Sequence, residues 1–130
     1  MSCIDTGTVR GHETIVSLIE EKKVESMPWN PHPKFGGVSL RHLVIGKDTG
    51  GRISLHQVRI HPGCSIGDHA HPGQVEIHDV LDGEGVCRLE GIEIRYAPGV
   101  MGIMPADKVH RIDAGEHGML LLATFCPPLV

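Results

Sequence analysis

Apolar and polar residues alternate over short stretches for most of the chain, and glycine- or proline-bearing turns separate the stretches. Residues 38–45 are rich in apolar and β-branched side chains and read as a strand, closed by the turn sequence GKDTGG. Residues 52–61 form the next strand. Side chains alternate across a strand, so His56, Val58 and Ile60 share one of its faces, and Leu55, Gln57 and Arg59 the other. Further strands are predicted over 77–81 and 86–89, joined by a turn at Asp82-Gly83-Glu84-Gly85, and over 92–96, 100–104 and 108–112. Residues 119–125 are a nearly continuous apolar run, expected to be buried on both faces or to lie at a subunit contact. Before these strands the signals are mixed. Residues up to about Gly11 read as an arm, loose or pairing with another subunit. Ile15, Leu18 and Ile19 recur at helical spacing, so a short helix is one reading of 13–23, while ETIV also reads as a strand. VESMPW reads as a strand and NPHPKFGG as an irregular loop, because Pro28, Pro31 and Pro33 exclude helix.

About eight to ten short strands with frequent turns is the pattern of an all-β sandwich or barrel. A length of 130 residues suits one domain with its own core, with 1–36 as arm and edge segments packing on a barrel of 37–130. Seventeen glycines and nine prolines fit the many turns. Net charge is −4 and there is no basic run, which argues against nucleic acid or an anionic membrane as partner. No apolar run is long enough to span a bilayer, and the opening MSCIDTGTVRGHE is too polar for a secretory signal, so a cytoplasmic location is expected. The four cysteines lack CxxC spacing and are expected to be free thiols, mostly buried, with Cys64 the one nearest the candidate site. Trp29, the single tryptophan, is expected to pack under the barrel wall rather than at a pocket mouth.

The chemistry concentrates in residues 62–85, PGCSIGDHAHPGQVEIHDVLDGEG. Five residues separate Gly63 from His69, His71 lies two positions on, four residues separate His71 from Glu76, and six separate Glu76 from Gly83. His69 and His71, at i and i+2, point to one face of an extended chain. Pro72 and Gly73 then turn the chain, so Glu76 can return beside them on a neighbouring strand. Downstream, Gly99 precedes Pro105 by five residues, and His110 follows in PADKVHRI. Only a closed or sandwiched sheet can bring His110 back to the others. His78, two residues after Glu76, also points inward, as a candidate catalytic acid or base at neutral pH or as a hydrogen-bonded barrel histidine. Gln74 shares that strand face and rivals Glu76 as an oxygen donor. His56 and Arg59 are weaker candidates for a pocket lining. Alternation places Arg111 opposite His110, and His12, His32, His42, His61 and His117 read as surface or loop residues.

These two segments resemble the paired motifs of the cupin superfamily. Gly63, His69, His71, Glu76 and Gly83 match the first motif; Gly99, Pro105 and His110 match the second. Asp107 stands where the second motif usually has glycine and Ala114 where it often has asparagine. The resemblance implies a jelly-roll β-barrel (a double-stranded β-helix) holding one divalent transition metal, whether Fe, Mn, Ni, Co or Zn, on His69, His71, Glu76 and His110. Imidazole nitrogen and carboxylate oxygen suit all of these ions, so the donor set does not choose among them. It also implies a small-molecule substrate and a homodimer. Dioxygenase-type chemistry is the slightly favoured reading, because open positions on a histidine-rich site suit ferrous iron. A metal-dependent isomerase or lyase of a small acid or sugar follows, and a non-catalytic ligand-binding module is the alternative. Two phenylalanines, one tyrosine and one tryptophan offer little surface for stacking sugars or flavins.

Overall fold

The computed structural model describes residues 12–130; the expected arm up to Gly11, and Cys3, lie outside them. Ten strands follow one another: β1 (Thr14–Val16), β2 (Glu21–Lys23), β3 (Asn30–Pro31), β4 (Val38–Val44), β5 (Ser54–Ile60), β6 (Ser65–His69), β7 (Val75–Leu89), β8 (Ile92–Tyr96), β9 (Met101–Met104) and β10 (His110–Cys126). Among the described residues the only helical turns are two short 3-10 segments, Val24–Ser26 and Gly46–Thr49. No helix there is long and apolar enough to cross a membrane.

β1 and β2 make a separate antiparallel hairpin, and the remaining strands form one sheet in the order β3-β4-β5-β10-β7-β8, with β6 added on β10 and β9 on β7. The two long strands close this sheet on itself. Residues 110–114 of β10 pair with β6 and the far half of β7, whereas residues 119–126 pair with β5 and the near half of β7. Between them the register shifts, and Gly83 of β7 faces Gly118 at a positive φ of 78°. A Cβ on Gly83 would collide with the Gly118 carbonyl oxygen, so both strands bend here only because this position has no side chain. The result is an all-β barrel of the jelly-roll kind, its interior filled by Val58, Ile60, Ile66, Val80, Cys87, Tyr96, Met104, Ile112, Leu121 and Phe125.

Several expectations are revised. Of the two readings of residues 13–23, the strand holds: ETIV contributes β1, and Leu18 and Ile19, which a helix would have turned to a core, stand 106% and 90% exposed at the hairpin turn. VESMPW begins as a 3-10 turn instead of a strand. The segment Asp82-Gly83-Glu84-Gly85 does not end a strand, because pairing with β10 carries β7 straight through it. The 108–112 strand starts at His110 and is continuous with the apolar run. That run buries one face, Met119, Leu121, Ala123 and Phe125, and leaves Leu120, Leu122 and Thr124 half-buried.

Candidate metal centre

Four side chains from three strands and one turn converge inside the barrel. His69 ends β6, and its cross-strand partner is His110, the first residue of β10. Glu76 is the second residue of β7 and lies opposite Phe125 of β10. His71 arrives from the turn after β6. Ring centres of His69 and His110 are 4.2 Å apart, those of His69 and His71 4.9 Å, and those of His71 and His110 5.5 Å. The Nε2 atoms of His71 and His110 both approach Glu76 Oε1, at 3.3 and 3.1 Å. One donor atom from each of His69, His71, Glu76 and His110 lies within 4.8 Å of all the others. Bonds of about 2.0–2.2 Å to a shared ion place opposite ligands roughly 4 Å apart, so a small contraction brings all four onto one divalent metal. The donors therefore fit the group. His69 is also oriented for it: its Nδ1–H donates to the Gly67 carbonyl at 2.7 Å, which leaves Nε2 as the free donor atom.

Electrostatics favour the ligand-competent protonation states. Burial lowers the His69 pKa to about 4, with His110 and His71 adding to the shift and the Gly67 bond and Glu76 opposing it. For Glu76 burial pushes upward, but the charge of His78 and hydrogen bonds from His110, His71 and His78 outweigh it and hold the carboxyl well below its usual range. His56 is likewise lowered to about 4, by burial and then by His42. An unfolded imidazole takes its proton near 6.5, whereas these two stay neutral until about pH 4. Their stabilising contribution is complete above pH 6.5 and is lost as the pH falls toward 4; that of Glu76 is present above its unfolded value of 4.5 and is lost below it. Thermal unfolding of metal-free protein is therefore expected at steadily lower temperature from pH 6.5 down to 4, and a flat profile across that window would contradict these environments.

His78 is 2% exposed, and both of its ring nitrogens are occupied: Nε2 lies 3.1 Å from Glu76 Oε2 and Nδ1 2.8 Å from the Tyr96 hydroxyl. Tyr96, on β8, carries no sequence signal for this contact: its cross-strand partner on β7 is Gly85, and its hydroxyl reaches His78 over Gly102 of β9.

The family model for the cupin domain matches residues 56–125, more than half of the chain and all four converging residues. The chain belongs to the cupin domain family. A curated relative, the oxalate-binding protein of Thermotoga maritima, is 29% identical over 79 residues, which make up 60% of this chain; the match spans 65% of that protein's length. A crystal structure of a predicted oxalate decarboxylase from the same organism superposes with a TM-score of 0.75 at 22% identity, covering 81% of this cupin and 96% of that chain. Ectoine synthase from P. lautus gives a TM-score of 0.72 at 25% identity, covering 84% and 78% of the two chains.

The other candidates separate from the centre of this cupin. Gln74 turns away and donates through its amide to the carbonyls of Pro127 and Pro128. His56 faces the interior, but it is hydrogen-bonded to His42 and Ser54, and Phe125 contacts both it and His71. His42, expected at the surface, is thus half-buried beside His56. Cys64 is half-buried against Gly37 rather than lining the site. Cys64, Cys87 and Cys126 are free thiols, and of these only Cys87 is buried. Arg111 bonds Asp113. Arg59 points outward, into a cavity of about 540 Å³ shared with Trp29, Arg41, Gln57, His61 and His117. There the guanidiniums of Arg41 and Arg59 each lie 4.3 Å from the Trp29 ring centre; burial and then Arg59 lower the Arg41 pKa, and Glu13 opposes them. The sequence placed His32 at the surface, but it is half-buried near the centre. Its Nδ1 accepts the backbone N–H groups of Lys34 and Phe35, and the Phe35 ring lies between it and His69. Burial, with His71 and Lys34 adding to it, lowers its pKa.

Proposed function

We propose that this cupin holds one divalent transition metal on His69, His71, Glu76 and His110 and uses it to bind and transform a small carboxylate. The convergence of four donor atoms within 4.8 Å inside the barrel carries this reading. Once bound, the metal would supply a Lewis-acid centre for an anionic or oxygen ligand. The chain's own contribution is to keep Glu76 ionised and His69 neutral, to fix His69 Nε2 inward through Gly67, and to surround the ligands with Phe35 and Phe125. The name of the Thermotoga maritima relative supports oxalate or a similar small acid as the ligand class. That name speaks of binding, which keeps the non-catalytic ligand-binding module beside the dioxygenase-type chemistry that the histidine-rich donor set suits and the lyase or isomerase alternative. A homodimer belongs to the same reading, supported by the exposed Val16, Leu18 and Ile19 of the β1–β2 turn.

Isothermal titration of manganese- and iron-loaded protein with oxalate, run beside an oxygen electrode, separates these readings. Metal-dependent heat of binding is the expected result; none with oxalate would remove the small-acid ligand. Oxygen uptake with a candidate substrate would favour the dioxygenase, and acid loss without oxygen uptake the lyase.

A further inference from the structure

We propose that Tyr96 and His78 are positioning residues of the metal centre: a one-way hydrogen-bond chain from the Tyr96 hydroxyl through His78 commits Glu76 Oε2 to the protein and leaves Oε1 alone to the metal. The argument runs backward from the carboxylate, which when ionised can only accept. At 3.1 Å from Oε2, His78 Nε2 must therefore carry the proton. A divalent ion on Glu76 disfavours a second positive charge at His78, so in the metal-loaded protein the imidazole is neutral, its Nδ1 is bare, and the Tyr96 hydroxyl 2.8 Å away donates to it. Burial, with the neighbouring Cys87 and Glu76 adding to it, raises the Tyr96 pKa and keeps the phenol protonated as this requires.

The fold builds the chain deliberately into the wall. Tyr96, His78 and Glu76 are 0%, 2% and 6% exposed, so water does not compete for these bonds. Gly102 of β9 is the cross-strand partner of His78, and a Cβ there would strike the Tyr96 hydroxyl. Its missing side chain is what lets the phenol from β8 reach the imidazole on β7. On the other carboxylate oxygen, Oε1 is the atom that His71 and His110 approach. The two oxygens thus have different duties, and Glu76 offers a metal one atom rather than two. Partners one step removed from a metal commonly orient its ligands in this way.

This inference rests on the metal reading above, and one experiment separates their fates. Cobalt(II) affinity, by chelator competition, and the cobalt absorption spectrum are measured for the wild type, Tyr96→Phe, His78→Leu and His78→Gln, with thermal unfolding of each metal-free protein. Tyr96→Phe and His78→Leu are expected to bind cobalt roughly 10–100-fold more weakly with an altered spectrum. His78→Gln, whose amide can accept from Tyr96 and donate to Glu76, should recover most of the affinity. Lowered unfolding temperatures with wild-type affinity and spectrum would overturn the positioning role while leaving the metal site standing. A wild type that binds no cobalt would sink both. Should His78→Leu fail to fold, Tyr96→Phe, which loses a single oxygen, decides the comparison.

Discussion

Replacing His110 by alanine is expected to reduce bound metal from about one ion per chain to near zero after gel filtration, with the barrel still folded. His110 is the hub of the cluster: its side chain is 1% exposed, its ring is the one nearest His69, and its Nε2 lies 3.1 Å from Glu76 Oε1. Removing it deletes a donor atom outright, so the loss should exceed the roughly 10–100-fold that follows removal of an outer partner. It also takes one hydrogen bond from a buried carboxylate, a cost on the order of 1–3 kcal/mol, which a domain with roughly 5–15 kcal/mol of stability withstands. Elemental analysis together with circular dichroism checks both halves. Wild-type metal content in the variant would remove His110 from the ligand set, and an unfolded variant would make its role structural.

The largest effect on folding is expected at Gly83. Its φ of 78° already strains any other residue, and an added Cβ meets the Gly118 carbonyl and the Met119 Cα, which are backbone and cannot swing aside. Left-handed strain costs about 1–3 kcal/mol, and separating β7 from β10 at their bend adds about 1–3 kcal/mol more. Gly83→Ala should therefore lose roughly 3 kcal/mol or more, a fall in melting temperature on the order of 10 °C. Gly91 is the control. Its φ is 80°, but nothing lies within 4 Å of the added Cβ, so Gly91→Ala should cost only the strain. Equal melting temperatures for the two variants would mean that the close approach of Gly83 to Gly118 does not limit the fold.

How far the sequence reached depends on what each contact needs. Alternation alone placed His78 inward with Glu76 on β7, and both are buried. His69 and His71 do come together, though not as two residues of one strand: β6 ends at His69, and His71 enters from the turn. For His42 the signal was present but unused, since it alternates with Leu40 and Val44 on β4 and pairs across to His56. The Asp82–Gly85 stretch misled for a physical reason. A glycine at positive φ looks locally like a turn, and only long-range pairing with β10 shows it to be a bend within a strand. Tyr96, His32 and Phe35 reach the centre through contacts between segments far apart in sequence, which no local pattern reveals.

The most direct test of the central claim is a crystal structure of the metal-loaded protein with anomalous scattering data collected at the metal's absorption edge. A single peak about 2.0–2.2 Å from a nitrogen of His69, His71 and His110 and from one oxygen of Glu76 is the predicted result. A peak held by other residues, or none inside the barrel at full metal loading, would contradict it.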